Sequence, residues 1–525
     1  MSSQLKEPSV ASARAAAEQL PKGMRTFFKV LNGIEYVGNK LPHPFWLFWV
    51  LALILAGVSA ALAAAGVSVV LPSSGDTAAV KSMLSGEGMA MIFGTALANF
   101  ASFAPLPIIV TIILGVSVAE HSGLLSALLR ATVVRLPPKW VTLAVAFAGM
   151  MSHVMFDAAF IVLLPLAALA FKAAGRSPVL GIMVAFVSIS AGYNASPLIT
   201  PSDAILSSLT TTAAQLIDPA YLVTPVANYY FGLASSVLLS LFITLMVELV
   251  LKKRGDLVPD TDAEDDTGDL TLKLTAVEKR GMVHAGIALA LFAAAVAAVL
   301  LPADSPLRGE DGGLIQSVVL KNIAFFIALA FVLVGWVYGK TTGTIRRAGQ
   351  VPELMALGLK TLAPILVLFF AISQFLAYFK WTGIGNVIAV KGAEMLQAGG
   401  LPPLVVLLLA IVLISVMNIL VTSGSAMWSL LAPIFVPMFM YINISPETTQ
   451  AAFRIADSTT NAITPMSAYF ILALGMIQRY RKDAGIGTLA AFAIPLALSM
   501  LVVWTALFAA WYLIGLPLGP GVPIR

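Results

Sequence analysis

Runs of apolar residues recur between positions 45 and 516 of this chain, each long enough for a helix to cross a hydrocarbon layer of about 30 Å. Lipid offers the backbone no hydrogen-bonding partner, and the runs are too long for barrel strands, so each predicts a helix. Nine spans are expected, at about 44–66, 104–121, 178–197, 224–251, 282–301, 318–338, 354–379, 448–475 and 488–515. Two further apolar blocks, 140–171 and 403–441, fit no single span. Arg135 and Lys139 precede the first block and Lys172 and Arg176 follow it, so both its ends read as lying on one side. Re-entrant hairpins resolve this, with tips at 152–157 and 422–425; polar backbone at that depth is tolerated where protein or a wet cavity surrounds it. The expected fold class is an all-α polytopic membrane protein with about nine transmembrane helices and two re-entrant helical hairpins.

Charge orients the spans. Lys22, Arg25, Lys29 and Lys40 before span 1 place the N-terminus in the cytoplasm. Lys252, Lys253 and Arg254 mark the inside after span 4, as do Arg346 and Arg347 after span 6 and Arg479, Arg481 and Lys482 after span 8. The acidic stretch 252–281 reads as a solvated connector. Thr275 and Glu278 predict a capping box for the helix that follows it.

The intramembrane half is written twice. Ala104-Pro105 pairs with Ala363-Pro364, Ser122-Gly123 with Thr382-Gly383, and Leu136-Pro137-Pro138 with Leu401-Pro402-Pro403. Pro165, Ser177-Pro178 and Ser196-Pro197 pair with Pro433, Ser445-Pro446 and Thr464-Pro465, all at a spacing of 268. Duplicated, proline-interrupted apolar segments mark secondary transporters, whose cargo and ions bind where the repeats meet. The Ala-Pro segments run in opposite directions, so inverted repeats are expected. The chain divides into a cytoplasmic segment (1–43), span 1 and its loop (44–92), repeat 1 (93–215), scaffold spans 4–6 (216–350), repeat 2 (351–482), and the last span with the C-terminus (483–525).

Composition agrees. Of 525 residues 59% are hydrophobic and 11% charged, against about 25% charged in soluble domains. The net charge of +5 sits at segment ends and reads as topology, not nucleic-acid binding. Zero cysteines exclude disulfides, thiol catalysis and cysteine-ligated metal. The first 43 residues lack a short apolar core with a small-residue cleavage site, so no cleavable signal is expected.

Four stretches resemble one family: 38–44 (GNKLPHP), 119–124 (AEHSGL), 423–428 (SGSAMW) and 457–465 (DSTTNAITP). They are similar to the p-aminobenzoyl-glutamate transporter (AbgT) family, over almost the whole chain. The resemblance implies a homodimeric inner-membrane secondary transporter with nine spans and two hairpins. It further implies uptake of the folate breakdown product p-aminobenzoyl-glutamate, sodium binding, and proton-driven export of sulfonamide antimetabolites. By the same resemblance Ser425, Trp428, Pro446, Arg454, Asp457 and Pro465 match positions of functional importance, and an aspartate near Asp203 does too.

The residues supply their own chemistry. Arg454 and Asp457 lie three apart on one helix face. An ionised residue inside a span costs about 2.5–3.5 kcal/mol, so it faces a cavity or a partner. Arg454 is expected to attract a substrate carboxylate and Asp457 to couple a cation or proton; the alternative is an ion pair between them. The stretch 461–465, with Asn461, Thr464 and Pro465, and the tip residues Thr422 and Ser423 offer oxygens suited to sodium, because proline frees an upstream carbonyl. Repeat 1 supplies Asn194 and Ser196 with tip residues Ser152 and Asp157, so two cation sites are expected, one per hairpin. The alternative is that these hydroxyls cap broken helices. Asp203 is either a titrating group or a helix N-cap. Trp428 is expected to stack on an aminobenzoyl ring, Asn418 to contact substrate, and His153 to be structural. No transition metal or organic cofactor is expected. The leading function is cation-coupled transport of p-aminobenzoyl-glutamate by alternating access. Proton-driven sulfonamide efflux is the first alternative. An intramembrane hydrolase is the second, although no nucleophile elbow or metal-protease motif is present.

Overall fold

The computed structural model describes residues 43–525 apart from 73–74, 135–136, 157, 252–272, 303, 310–313, 315–316, 420, 422 and 465–466. Asp157, Thr422 and Pro465 therefore lie outside the described residues, as does most of the acidic connector.

Helix α1 (Pro44–Ala64) follows a proline start capped by His43. The next loop holds a small antiparallel pair, β1 (Ser68–Val70) with β2 (Thr77–Ala79). Span 2 begins earlier than its proline suggested. Helices α2 (Gly86–Ala101) and α3 (Pro105–His121) form a 36-residue apolar element interrupted before Pro105. Helix α4 (Leu124–Val134) leads to the first hairpin, α5 (Val141–Ser152) and α6 (Ala158–Ala173). Then come α7 (Pro178–Ala191), α8 (Pro201–Ala214) and α9 (Tyr229–Leu249). The pair α10 (Ala276–Leu300) and α11 (Ile323–Thr342) precedes the long α12 (Gln350–Thr382). The second copy continues with α13 (Ile384–Ala398), α14 (Pro403–Asn418), α15 (Gly424–Met440), α16 (Pro446–Thr459) and α17 (Ala468–Gln478). Helix α18 (Ile486–Ile514) is last. The capping box at the start of α10 is formed: Glu278 N–H donates to Thr275 Oγ1 at 3.1 Å, and Thr275 N–H donates to Glu278 Oε2 at 2.8 Å.

Seven helical elements among the described residues are long and apolar enough to cross a membrane, or eight if the 119° bend between α13 and α14 is counted as one span. The difference from nine has a physical cause. Spans 3 and 8 are each broken: α7 and α16 are 14 residues long, about 21 Å, and neither crosses alone.

The hairpin arms of 12 to 17 residues are also shorter than a bilayer. Their ends return to the same place. Arg176, past the end of α6, donates to Thr142 at the start of α5 at 2.7 Å, and both bind Glu248 at the end of α9. In the second copy Gln397, just before α14, donates to the Tyr441 carbonyl after α15 at 3.4 Å.

The duplication is visible element by element. Helices α7 and α16 have equal lengths and sit 268 residues apart. Each starts with proline after a serine N-cap, Ser177 accepting from Leu180 N–H and Ser445 from Thr448 N–H. Both are buried at all 14 positions, so together they form the centre of the molecule. Around them α3 and α11 cross closely: a Cβ at Gly115 would lie 2.4 Å from the Ala328 carbonyl, and one at Gly335 would lie 2.6 Å from the Ala119 nitrogen.

Candidate functional site

The chain leaves helical geometry after Ala191 and resumes at Pro201; in the second copy it does so after a short turn at Thr460–Ala462 and resumes at Ala468. A cavity of about 480 Å³ lies between these two breaks. Ser190 and Asn194 line it at the end of α7, and Asp457 and Asn461 at the end of α16. Three helix beginnings line it as well: Ser202 of α8, Ser423 to Ser425 of α15, and Ser467 with Tyr469 of α17. Helix ends leave carbonyls unpaired and carry partial negative charge; helix beginnings leave N–H groups unpaired and carry partial positive charge. One cavity thus presents ends suited to a cation and beginnings suited to an anion.

Among the described residues Asp457 is the single carboxylate on the cavity wall. Its Oδ2 accepts from Asn194 Nδ2 at 2.9 Å, while its Oδ1 is buried with no hydrogen-bond partner among the described residues. Asn194 Oδ1 is likewise buried and unpartnered. Two buried oxygens without donors fit a hard cation, which such oxygens coordinate directly. A Cβ on Gly424 would lie 2.6 to 2.9 Å from the Asp457 carboxyl atoms, so only glycine lets the hairpin backbone approach that group. Asn418 does not line the cavity. It is buried behind it, where Nδ2 donates to the Asp457 carbonyl, to Thr460 Oγ1 at 2.7 Å and to Asn461 Oδ1 at 3.0 Å. It therefore ties an arm of hairpin 2 to the break.

The fold gathers residues expected at two separate cation sites into one place. Asn194, Ser423, Asp457, Asn461 and Thr464 come from both copies to one cavity, and Ser425 joins them. Ser152 instead donates to the Gly149 carbonyl at 2.7 Å inside its own helix, and Ser196 accepts from Leu198 N–H at 3.1 Å. The breaks of the two copies converge, so their oxygens pool.

Arg454 also departs from expectation. It neither lines the cavity nor pairs with Asp457. Its Nη1 donates to Asp203 Oδ1 at 2.6 Å and its Nε to Asn228 Oδ1 at 3.1 Å. With the Gln450 amide oxygen turned toward it, Nη2 is satisfied at 3.0 Å. Asp203 is not the N-cap but the third residue of α8. Its Oδ2 closes a capping box with Thr200, leaving Oδ1 for the arginine. The guanidinium is thus occupied by the fold, because an unpaired charge at that depth is costly. Pro446 occupies the first position of α16, where its missing N–H costs nothing.

Trp428 is fully buried. Its Nε1 donates to Thr210 Oγ1 at 2.9 Å and its ring lies on Phe453 at 4.3 Å, so stacking on a cargo ring is not open to it. An aromatic pair on the cavity wall, Phe160 with Tyr469, is stacked in parallel at 4.2 Å. Neither was expected from the sequence, yet a signal existed: Phe160 is the counterpart of Trp428 at the 268 spacing. His153 Nε2 lies 3.0 Å from the Ile189 carbonyl, tying tip 1 to α7.

A family profile described as the AbgT putative transporter family matches residues 29–525. The chain is 37% identical over 496 residues to the p-aminobenzoyl-glutamate transport protein of Escherichia coli, covering 94% of this chain and 96% of that one. Two solved structures superpose along their whole length. The YdaH transporter of Alcanivorax borkumensis, described as having an unusual topology, gives a TM-score of 0.85 at 39% identity, over 91% of this chain and 100% of that one. MtrF of Neisseria gonorrhoeae, described as illuminating a class of antimetabolite efflux pumps, gives 0.88 at 38% identity, over 94% and 100%.

Proposed function

Because the chain belongs to the AbgT putative transporter family, we propose that it carries p-aminobenzoyl-glutamate, or a close aromatic amide-linked glutamate, across the inner membrane in exchange for the energy of a cation gradient. The observation that carries this reading is the convergence of three helix beginnings and two helix ends, with Asp457, on one cavity. Helix beginnings bind anions through free N–H groups, which accounts for cargo carboxylates without a cationic side chain. The Phe160–Tyr469 pair faces the cargo's ring. The volume of about 480 Å³ is in the range of small-molecule sites, roughly 300–1,000 Å³.

Sodium fits the donor set. Asp457, Asn194, Asn461 and Thr464 would hold it, and its charge would offset Asp457 beside an anionic cargo. In this reading the hairpins move with α7, α8, α16 and α17 against a frame of α1, α9, α10, α11 and α18, in each half of a homodimer whose N-termini are cytoplasmic. Efflux of sulfonamides under a proton gradient is the second reading, favoured by the similarity to MtrF. Reconstituted vesicles with imposed gradients decide between them. Labelled p-aminobenzoyl-glutamate accumulating under a sodium gradient alone supports the first; sulfonamide movement under a proton gradient alone replaces it with the second.

A further inference from the structure

A second, smaller cavity of about 130 Å³ adjoins the central one. Phe156 and Ile365 line both, so these two side chains form the wall between them. Its lining includes Glu120, in the last turn of α3. Among the described residues no hydrogen bond or salt bridge holds its carboxylate; the neighbouring His121 has its Nδ1 3.1 Å from Ser117 Oγ. Among the described residues the remaining lining is Ser117, Thr361, Gly358 and apolar side chains.

The wall itself is strained. Phe156 has φ 47° and ψ −129°, a left-handed backbone that a bulky side chain rarely adopts and that costs about 1–3 kcal/mol. Its counterpart at the 268 spacing is Gly424, the residue that touches Asp457. One copy thus has glycine at this tip position, where the backbone meets the carboxylate; the other has a phenylalanine held in a conformation natural to glycine, with its ring in the partition.

Size separates the two chambers. The small one has room for about four waters and lies well below the roughly 300 Å³ of sites for organic ligands. The Glu120 carboxylate on its wall favours a cation. Its end of α3 is followed by Arg130 and Lys139, which place it at the cytoplasmic face.

We propose that the Glu120 chamber is a cytoplasmic doorway for a monovalent cation, closed from the central site by Phe156 and Ile365 and separate from the route the organic anion takes. The inference rests on the transport reading for its purpose, but its test needs no cargo. The absence of native cysteine allows one introduced thiol to report. In the full chain in proteoliposomes, Ser467→Cys on the central cavity is exposed to an impermeant quaternary-ammonium thiosulfonate from the cytoplasmic side. Modification should accelerate about tenfold when Phe156→Ala is added, and equally with Ile365→Ala, which serves if the first variant does not fold. Adding Glu120→Gln to either wall variant should return most of that gain, and a sulfonate-bearing thiosulfonate of similar size should show no acceleration. Unchanged rates in both wall variants would overturn the doorway. So would equal acceleration of the cationic and anionic reagents. Failure of cargo transport in the unmodified protein would leave these rates untouched, and so would count against the carrier reading alone.

Discussion

Gly424 and Asp457 show how little room the site leaves at the scale of single residues. A methyl group on Gly424 would press on both carboxyl oxygens, so Gly424→Ala is expected to lower sodium-dependent cargo binding by about tenfold or more while the helical content by circular dichroism stays native. Retained affinity would mean that Asp457 does not need this approach. Arg454 and Asp203 obey a different logic. They bridge α16 of one copy to α8 of the other through a nearly dry ion pair. Removing either partner strands a buried charge, so Arg454→Ala and Asp203→Ala should each destabilise by about 3–5 kcal/mol. The double substitution should cost less than the sum. Thermal unfolding in detergent completes the cycle, and strict additivity would dissolve the pair as a unit.

At the scale of elements, α7 and α16 are the same device used twice. Ser177→Ala and Ser445→Ala each remove a hydrogen bond to an otherwise unpaired helix N–H, at a cost of about 1 kcal/mol apiece. The melting shifts should be similar for the two variants, because cap, proline and helix length coincide. The connection from α17 to α18 carries a surface pair, with Arg481 Nε donating to Asp483 Oδ1 at 2.7 Å. The guanidinium holds the Asp483 carboxyl below its usual range. A depressed folded value means that the pair's small contribution exists above the ordinary carboxylate pKa and fades as pH falls through the lower, folded one. Asp483→Asn should flatten stability in that acid window and leave neutral pH unaffected; an unaltered acid limb would assign no role to the pair.

At the scale of the whole molecule, the central cavity is lined by elements from both copies, so a ligand bound there should lock the copies together. A ligand that binds only the folded state at 100 times its Kd adds about 2.7 kcal/mol. Sodium should therefore raise the melting temperature of the wild-type protein, with p-aminobenzoyl-glutamate adding to it, and Asp457→Asn should abolish the sodium part. A melting temperature indifferent to sodium in the wild type would leave the oxygens around Asp457 without a cation.

Lipid made much of this architecture legible in advance. Only helices satisfy their own backbone there, so apolar length announced the long helices, and basic flanks showed both ends of the first hairpin on one side. Repeated prolines at one spacing located α7 and α16, because proline and its preceding serine dictate helix starts locally. Other features depended on distant segments. Sequence spacing put Arg454 and Asp457 on one helix, but the partner that claims Arg454 comes from 251 positions away. Trp428 looked like a cargo platform until Phe453 and Thr210 covered it, and Phe160 with Tyr469 became the aromatic wall instead. Local rules act over a few residues along the chain. Which buried polar group finds which partner, and which oxygens remain free for an ion, is settled only when two remote broken helices pack side by side.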